Sequence, residues 1–196
     1  MKPSSLMTTG AATVGLVLAI LVTRVEHFGT AFTPADATLA VLFLAGMWIR
    51  RAWPLPTLLG AAALADQLAL RQGVSAVCVT AAYLFLIPAY ACVWWAGRAS
   101  GDVNWRRPAE LARTAGNLLS SLVAAFVISS GSFFLLSGYF PGMAGLEYWR
   151  AVAHYFLPYA GWPAAYVCAT LAVSEALRAL GRRRARAASH PLGMNP

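Results

Sequence analysis

A cysteine set among small residues is the most chemically suggestive feature of this chain. Cys78 lies in the stretch GVSAVCVTAAY, Gly73 to Tyr83, with Ser75 three residues before it and Ala81 and Ala82 three and four after. On a helix those positions share one face. A thiolate is a soft donor suited to a polarisable transition metal, and small neighbours leave room beside it for a bulky ligand. The same arrangement also serves ordinary packing. Cys92 and Cys168 have no histidine or carboxylate near them in sequence and read as small hydrophobes. Three dispersed cysteines give neither a disulfide framework nor a CxxC site. There is no Walker A loop, HExxH or GxSxG, so no P-loop ATPase activity is expected of this chain.

The elements that position such a thiol follow from composition. Of 196 residues, 59% are hydrophobic and 11% are charged, against about 25% charged in an ordinary soluble domain. That deficit runs along the whole chain and predicts an all-α integral membrane protein. The net charge of +8 comes from short basic runs between apolar blocks, a topology pattern and not a nucleic-acid surface. Lys2 and the apolar stretch Leu6 to Val22 resemble a signal peptide, but no small-x-small cleavage site follows in TRVEHFGTAF. An uncleaved first helix is expected.

Apolar blocks give six candidate spans: Leu6–Thr23, Ala37–Ile49, Leu55–Leu70, Val74–Gly97, Thr114–Ser137 and Leu146–Leu180. A span needs about 20 apolar residues, so the second and third blocks either extend into their flanks or form a tight hairpin around RRAWPLP. Pro88 is expected to kink the fourth span. The sixth is expected to break at Pro158, Gly161 and Pro163, leaving a true span from Trp162 to Leu180. Residues 1–181 then form one six-helix domain, and 182–196 a basic tail suited to anionic headgroups.

With both termini on one side, that side receives Lys2, Arg50, Arg51, Arg98, Arg106, Arg107, Arg113, Arg178, Arg182, Arg183, Arg184 and Arg186; Arg24, Arg71 and Arg150 fall on the other. The positive-inside rule makes the first side, and both termini, cytoplasmic. Glu26, His27, Asp36, Asp66, Cys78, Glu147, Arg150 and His154 then share the outer layer. Asp66, an ionisable group within a span, is a functional candidate by default; a structural pair with Arg150 or Arg71 is the plainer role. Tyr139, Phe140, Tyr148, Trp149, Tyr155, Phe156, Tyr159 and Trp162 gather in the same layer, either as an interfacial belt or as walls of an outward cavity. Gly10, Ala11, Ala12, Gly15 and Ala19 give the first span a small-residue face that a neighbouring helix could approach closely.

Three stretches carry a family resemblance: EHFGTAFTPADATLAVLFLAGMWIRR, LGAAALADQLALRQGVSAVCVTAAYLFLIPAY and EYWRAVAHYFLPYAGWP. With the six spans they resemble the BtuM family, cobalamin transporters of bacterial inner membranes related to the S-components of energy-coupling-factor vitamin transporters. The resemblance covers nearly the whole chain. It implies periplasmic capture of cobalamin or cobinamide, with Cys78 as the lower axial cobalt ligand in place of the dimethylbenzimidazole base. Ser75, Ala81 and Ala82 would then floor the corrin ring. His27, Asp66, Tyr83, Arg150 and His154 would meet its amides, although Tyr83 points away from Cys78 on an ideal helix. A thiolate trans to cyanide should weaken that bond and favour decyanation. An energy-coupling module could dock through the small-residue face of the first helix, unless transport is solitary. The nearest alternative is an S-component for another vitamin. A membrane cytochrome with haem between His27 and His154 is a more distant one.

Overall fold

The computed structural model describes residues 3–24, 35–73, 76–101, 103 and 107–188; at 3–8, 78, 183 and 185–188 it describes backbone alone. Among these residues there are only helices and connections: α1 (Pro3–Arg24), α2 (Thr38–Trp48), α3 (Pro54–Arg71), α4 (Leu86–Ser100), α5 (Pro108–Leu136), α6 (Gly145–Val152) and α7 (Phe156–Ala188). Short 3₁₀ turns cover Ala76–Cys78, Ala81–Phe85 and Ala153–Tyr155. The stretches Pro108–Leu136 and Gly145–Arg182 are long and apolar enough to cross a membrane.

At the centre lies α2. Every residue from Thr38 to Met47 is buried, because α2 packs against α4, α1, α7 and α3 in turn. Leu42 and Phe43 of α2, Leu58 of α3, Val93 and Trp94 of α4 and Leu122 of α5 form the best-buried core. At its lower end α2 meets α4 backbone to backbone. A Cβ on Gly46 would fall 2.1 Å from the Trp94 carbonyl oxygen, and one on Gly97 would fall 2.0 Å from the Phe43 carbonyl oxygen. Side chains are excluded there, and the two helices approach as small-residue pairs do in membranes.

The second block does not extend into its flanks. As an 11-residue helix it is about 16 Å long, and residues 49–53 turn the chain tightly into α3, whose first turn carries Pro54 where its missing N–H costs nothing. Of the two readings, the hairpin is the one formed.

Segment four departs most from expectation. It is not one helix from Val74 to Gly97. The chain makes a single 3₁₀ turn to Cys78, passes through Val79 and Thr80 in non-helical conformation, makes a second 3₁₀ turn and enters α4 only at Leu86. Thr80 is extended (φ −118°, ψ −178°), and its Oγ1 accepts from the Ala82 N–H, capping the second turn. Cys78 is therefore not one turn inside a span, and the i, i+3, i+4 face shared with Ala81 and Ala82 does not form. Pro88 kinks nothing: it is the third residue of α4, where no intrahelical acceptor awaits an N–H.

The sixth segment divides earlier than expected. Its break is the 3₁₀ turn Ala153–Tyr155, after which α7 runs from Phe156 through Gly161 and Pro163 to Ala188. Pro158 sits harmlessly in the first turn of α7. The basic residues Arg178, Arg182 and Arg184 continue the same helix, with Arg182 bound to Glu175 at 2.6 Å.

Two ends of the bundle differ in charge. Asp36 and Asp66 mark one, called the acidic end although Arg24 and Arg71 lie there too. Arg50, Arg51, Arg98, Arg107 and Arg113 collect at the other, where Arg98 donates to the Arg50 carbonyl and Arg113 to the Ser100 carbonyl.

Candidate functional site

The acidic end is built around a residue that sequence reasoning treated only as a topology marker. Arg24, the last residue of α1, is 4% exposed. Its Nε donates to Asp66 Oδ1 at 2.7 Å and its Nη2 to Asp66 Oδ2 at 2.9 Å, the bidentate geometry that makes arginine–carboxylate pairs strong. Its Nη1 donates to Asp36 Oδ2 at 2.9 Å and to Thr38 Oγ1 at 3.2 Å. The guanidinium carbon lies 5.7 Å from the Tyr90 ring centroid, within cation–π range. One cation thus ties the end of α1 to the start of α2, the last third of α3 and the first half of α4.

Each partner is positioned by its own element. Asp36 precedes α2, and its Oδ1 accepts from both the Thr38 N–H at 2.9 Å and the Thr38 hydroxyl at 2.5 Å. Bonding the backbone two residues on, Asp36 makes an Asx-turn that leads the chain into α2. Asp66 lies on the face of α3 that carries the buried alanines 62, 65 and 69. The Tyr83 hydroxyl, from the second 3₁₀ turn before α4, donates to Asp66 Oδ2 at 2.7 Å. Tyr166 of α7 closes the layer by donating to the Ala35 carbonyl at 2.9 Å.

The expected residues therefore divide. Asp66 and Tyr83 come together, but with each other and Arg24; the Arg150 or Arg71 partner weighed for Asp66 is replaced by Arg24. Arg150 on α6 and His154 in the third 3₁₀ turn are exposed, and the His154 ring lies tilted by 40° against its neighbour Tyr155, centroids 3.8 Å apart. His27 and Ser75 lie outside the described residues, as does the side chain of Cys78. Among the described residues, no three His, Cys, Asp or Glu side chains converge as a metal site. Cys92 is half-buried and Cys168 exposed, both free.

The aromatic residues form a packed layer rather than an open wall. Phe126 of α5 meets Phe156 at 5.3 Å and Tyr159 at 5.2 Å. Phe134 meets Tyr148 at 4.6 Å, and Phe140 lies 5.0 Å from the same ring. The Tyr148 hydroxyl donates to the Ser130 carbonyl at 2.8 Å, so α6 is fastened to the upper half of α5. Tyr139, Tyr155 and Trp162 stay exposed.

Beside this layer the backbone of segment four is irregular from Ala76 to Phe85, while Val77, Val79, Leu84 and Phe85 are exposed. Irregular backbone within an apolar bundle is tolerated where it lines a cavity or packs against protein, and interrupted helices commonly form substrate sites in transporters. Two signals for this were in the sequence. Val74, Val77, Val79 and Thr80 are a β-branched cluster of low helix propensity, and an arginine closing an apolar block needs a buried partner. No protein-family model matches this chain, and no curated protein matches it.

Proposed function

We propose that the protein is a six-span inner-membrane protein of a bacterium, with both termini cytoplasmic, that captures cobalamin or cobinamide at its acidic end and carries it inward. The observation that carries this reading is the interruption of segment four: the break falls on the turn that ends in Cys78, beside a buried charge cluster in an otherwise apolar bundle. Support for the membrane setting comes from the long helices. Only 28% and 17% of the best apolar windows of Pro108–Leu136 and Gly145–Arg182 are buried, whereas the core helix of a soluble protein buries most of its length. Leu135, Leu157 and Val22 are 75%, 79% and 71% exposed, as lipid-facing residues would be.

In this reading the vitamin is the cargo, and Cys78 is its lower axial ligand. The thiolate lone pair forms the Co–S bond as the dimethylbenzimidazole nitrogen leaves. With cyanide above, the strong trans donor weakens the Co–C bond; cyanide departs with that bond's electron pair and takes a proton from water, and the cobalt oxidation state is unchanged. His27, Arg150 and His154 are the candidates for corrin amide contacts, with Ser75 beneath the ring. Arg24, Asp36 and Asp66, bound to one another, shape the floor of the site instead. The exposed Ala11, Ala12 and Gly15 of α1 suit the close approach of a helix from an energy-coupling module.

Titration of the purified protein with cobinamide tests the reading. A thiolate-ligated cobalt gives a shifted visible spectrum, which Cys78→Ala should abolish while Cys92→Ala and Cys168→Ala retain it. An unshifted spectrum with the intact protein rejects cobalt ligation. An unchanged cyanocobalamin spectrum over hours rejects decyanation.

A further inference from the structure

The Tyr83 hydroxyl ties the irregular stretch 76–85 to the charge cluster at the ends of α1 to α3. Three further bonds of that stretch are local: Val79 N–H to the Ala76 carbonyl at 2.9 Å, Tyr83 N–H to the Thr80 carbonyl at 2.9 Å, and Ala82 N–H to Thr80 Oγ1 at 3.3 Å. None of these fixes the stretch against another helix. The Ala81–Phe85 turn also packs against α5 and α4, and the Tyr83 bond adds a directional tie to α3. The acceptor of the Tyr83 bond is held hard, because both Asp66 oxygens also take bonds from a guanidinium that is itself 4% exposed.

We infer that Arg24, Asp66 and Tyr83 act as a positioning relay that sets the place of the Cys78 turn, so that Asp66 and Tyr83 serve the site by holding backbone and not by binding the ligand. The inference rests on the proposed role of Cys78 for its functional meaning, but the geometry it asserts is independent of any ligand. Arg24 fixes Asp66, Asp66 fixes the Tyr83 hydroxyl, and Tyr83 lies five residues after Cys78, inside the turn that Thr80 caps. A hydrogen bond to a charged acceptor contributes roughly tenfold to a hundredfold to such a local equilibrium.

The test uses the full chain carrying Cys92→Ala and Cys168→Ala, so that Cys78 is the one thiol, and follows its alkylation by iodoacetamide. Tyr83→Phe removes the tie and leaves the Arg24–Asp66 pair intact; alkylation should accelerate about tenfold, and cobinamide affinity should fall about tenfold. Tyr148→Phe loses a comparable hydroxyl bond elsewhere and should leave the alkylation rate within twofold of the parent. If Tyr83→Phe does not yield folded protein, Tyr83→Leu, which also removes the hydroxyl and leaves the Arg24–Asp66 pair intact, should give the same acceleration. An alkylation rate within twofold of the parent in the folded variant overturns the relay, as does equal acceleration by Tyr148→Phe. Absence of cobinamide binding by the parent overturns the proposed function instead, and the alkylation comparison still decides the relay.

Discussion

The two ends of α2 are held by opposite means. At its start, Asp36 and Thr38 are bound to a buried arginine that also grips Asp66. Near its finish, the contact is made by having no side chain at all, with Gly46 against the Trp94 carbonyl and Gly97 against the Phe43 carbonyl. The first end depends on charge compensation, because a lone buried charge is expensive. The second depends on volume, because close-packed backbone cannot yield to an added methyl. The difference teaches that one helix can be immobilised without a uniform core, and that its ends should fail in different ways.

The largest effect is expected from Arg24→Ala. It leaves two carboxylates without their shared cation, and breaking a buried pair typically costs about 3–5 kcal/mol. Thermal unfolding in detergent should show a midpoint about 6–20 °C lower. The comparison sharpens if Arg24→Met is combined with Asp66→Leu and Asp36→Asn. Apolar replacement of a whole buried ion cluster can be neutral or stabilising, so this triple variant should recover most of the loss seen by the same measurement. Failure to recover would show that the cluster's geometry, and not only its charge balance, holds α2.

Next in size is Gly97→Ala, expected to cost about 1–3 kcal/mol through overpacking against a carbonyl that cannot rotate away. Gly116→Ala on α5 has nothing within 4 Å of its new methyl and should stabilise by about 0.5–1 kcal/mol, as alanine does in a helix interior. Opposite signs for one and the same substitution are the signature to look for in paired thermal melts; a matching sign would remove the backbone-contact account of the α2–α4 junction. Tyr148→Phe should cost about 1 kcal/mol, the net value of one hydrogen bond, with its ring contacts preserved. The smallest effects belong to Arg150→Ala and His154→Ala. Both are exposed, so stability should change by less than about 0.5 kcal/mol, and any loss in cobinamide titration would then report on ligand contact alone.

Much of the frame was legible because it is one-dimensional. Apolar blocks marked α1 and α3 closely, although α5 starts at Pro108 and not at Thr114, and the sequence spacing of Asp66 put it in the same layer as Asp36. The partner of Asp66 was not legible in the same way. Arg24 lies 42 residues from Asp66, and no periodicity links them; only the demand of a buried carboxylate for a cation does. The partner of Tyr83 was hidden for a related reason. The direction of Tyr83 relative to Cys78 was reckoned on one ideal helix, but Val79 and Thr80 interrupt that helix, and the tyrosine turns to α3. Gly46 and Gly97 escaped notice because a glycine advertises close approach only when its opposite number is known. The small-residue stripe on α1, more regular in sequence, has nothing within 4 Å of a methyl built on Gly10 or Gly15.

A helix enclosed on every face, as α2 is from Thr38 to Met47, also shapes how this chain can change over time. On α5, where buried Leu118, Leu122 and Ala125 alternate with exposed Leu119, Val123 and Val127, a mutational scan should show tolerance returning every three or four residues. On α2 the same scan should be flat, with no turn on which a random substitution goes unnoticed. Neutral drift must therefore pass around these few residues and accumulate in the helices that surround them.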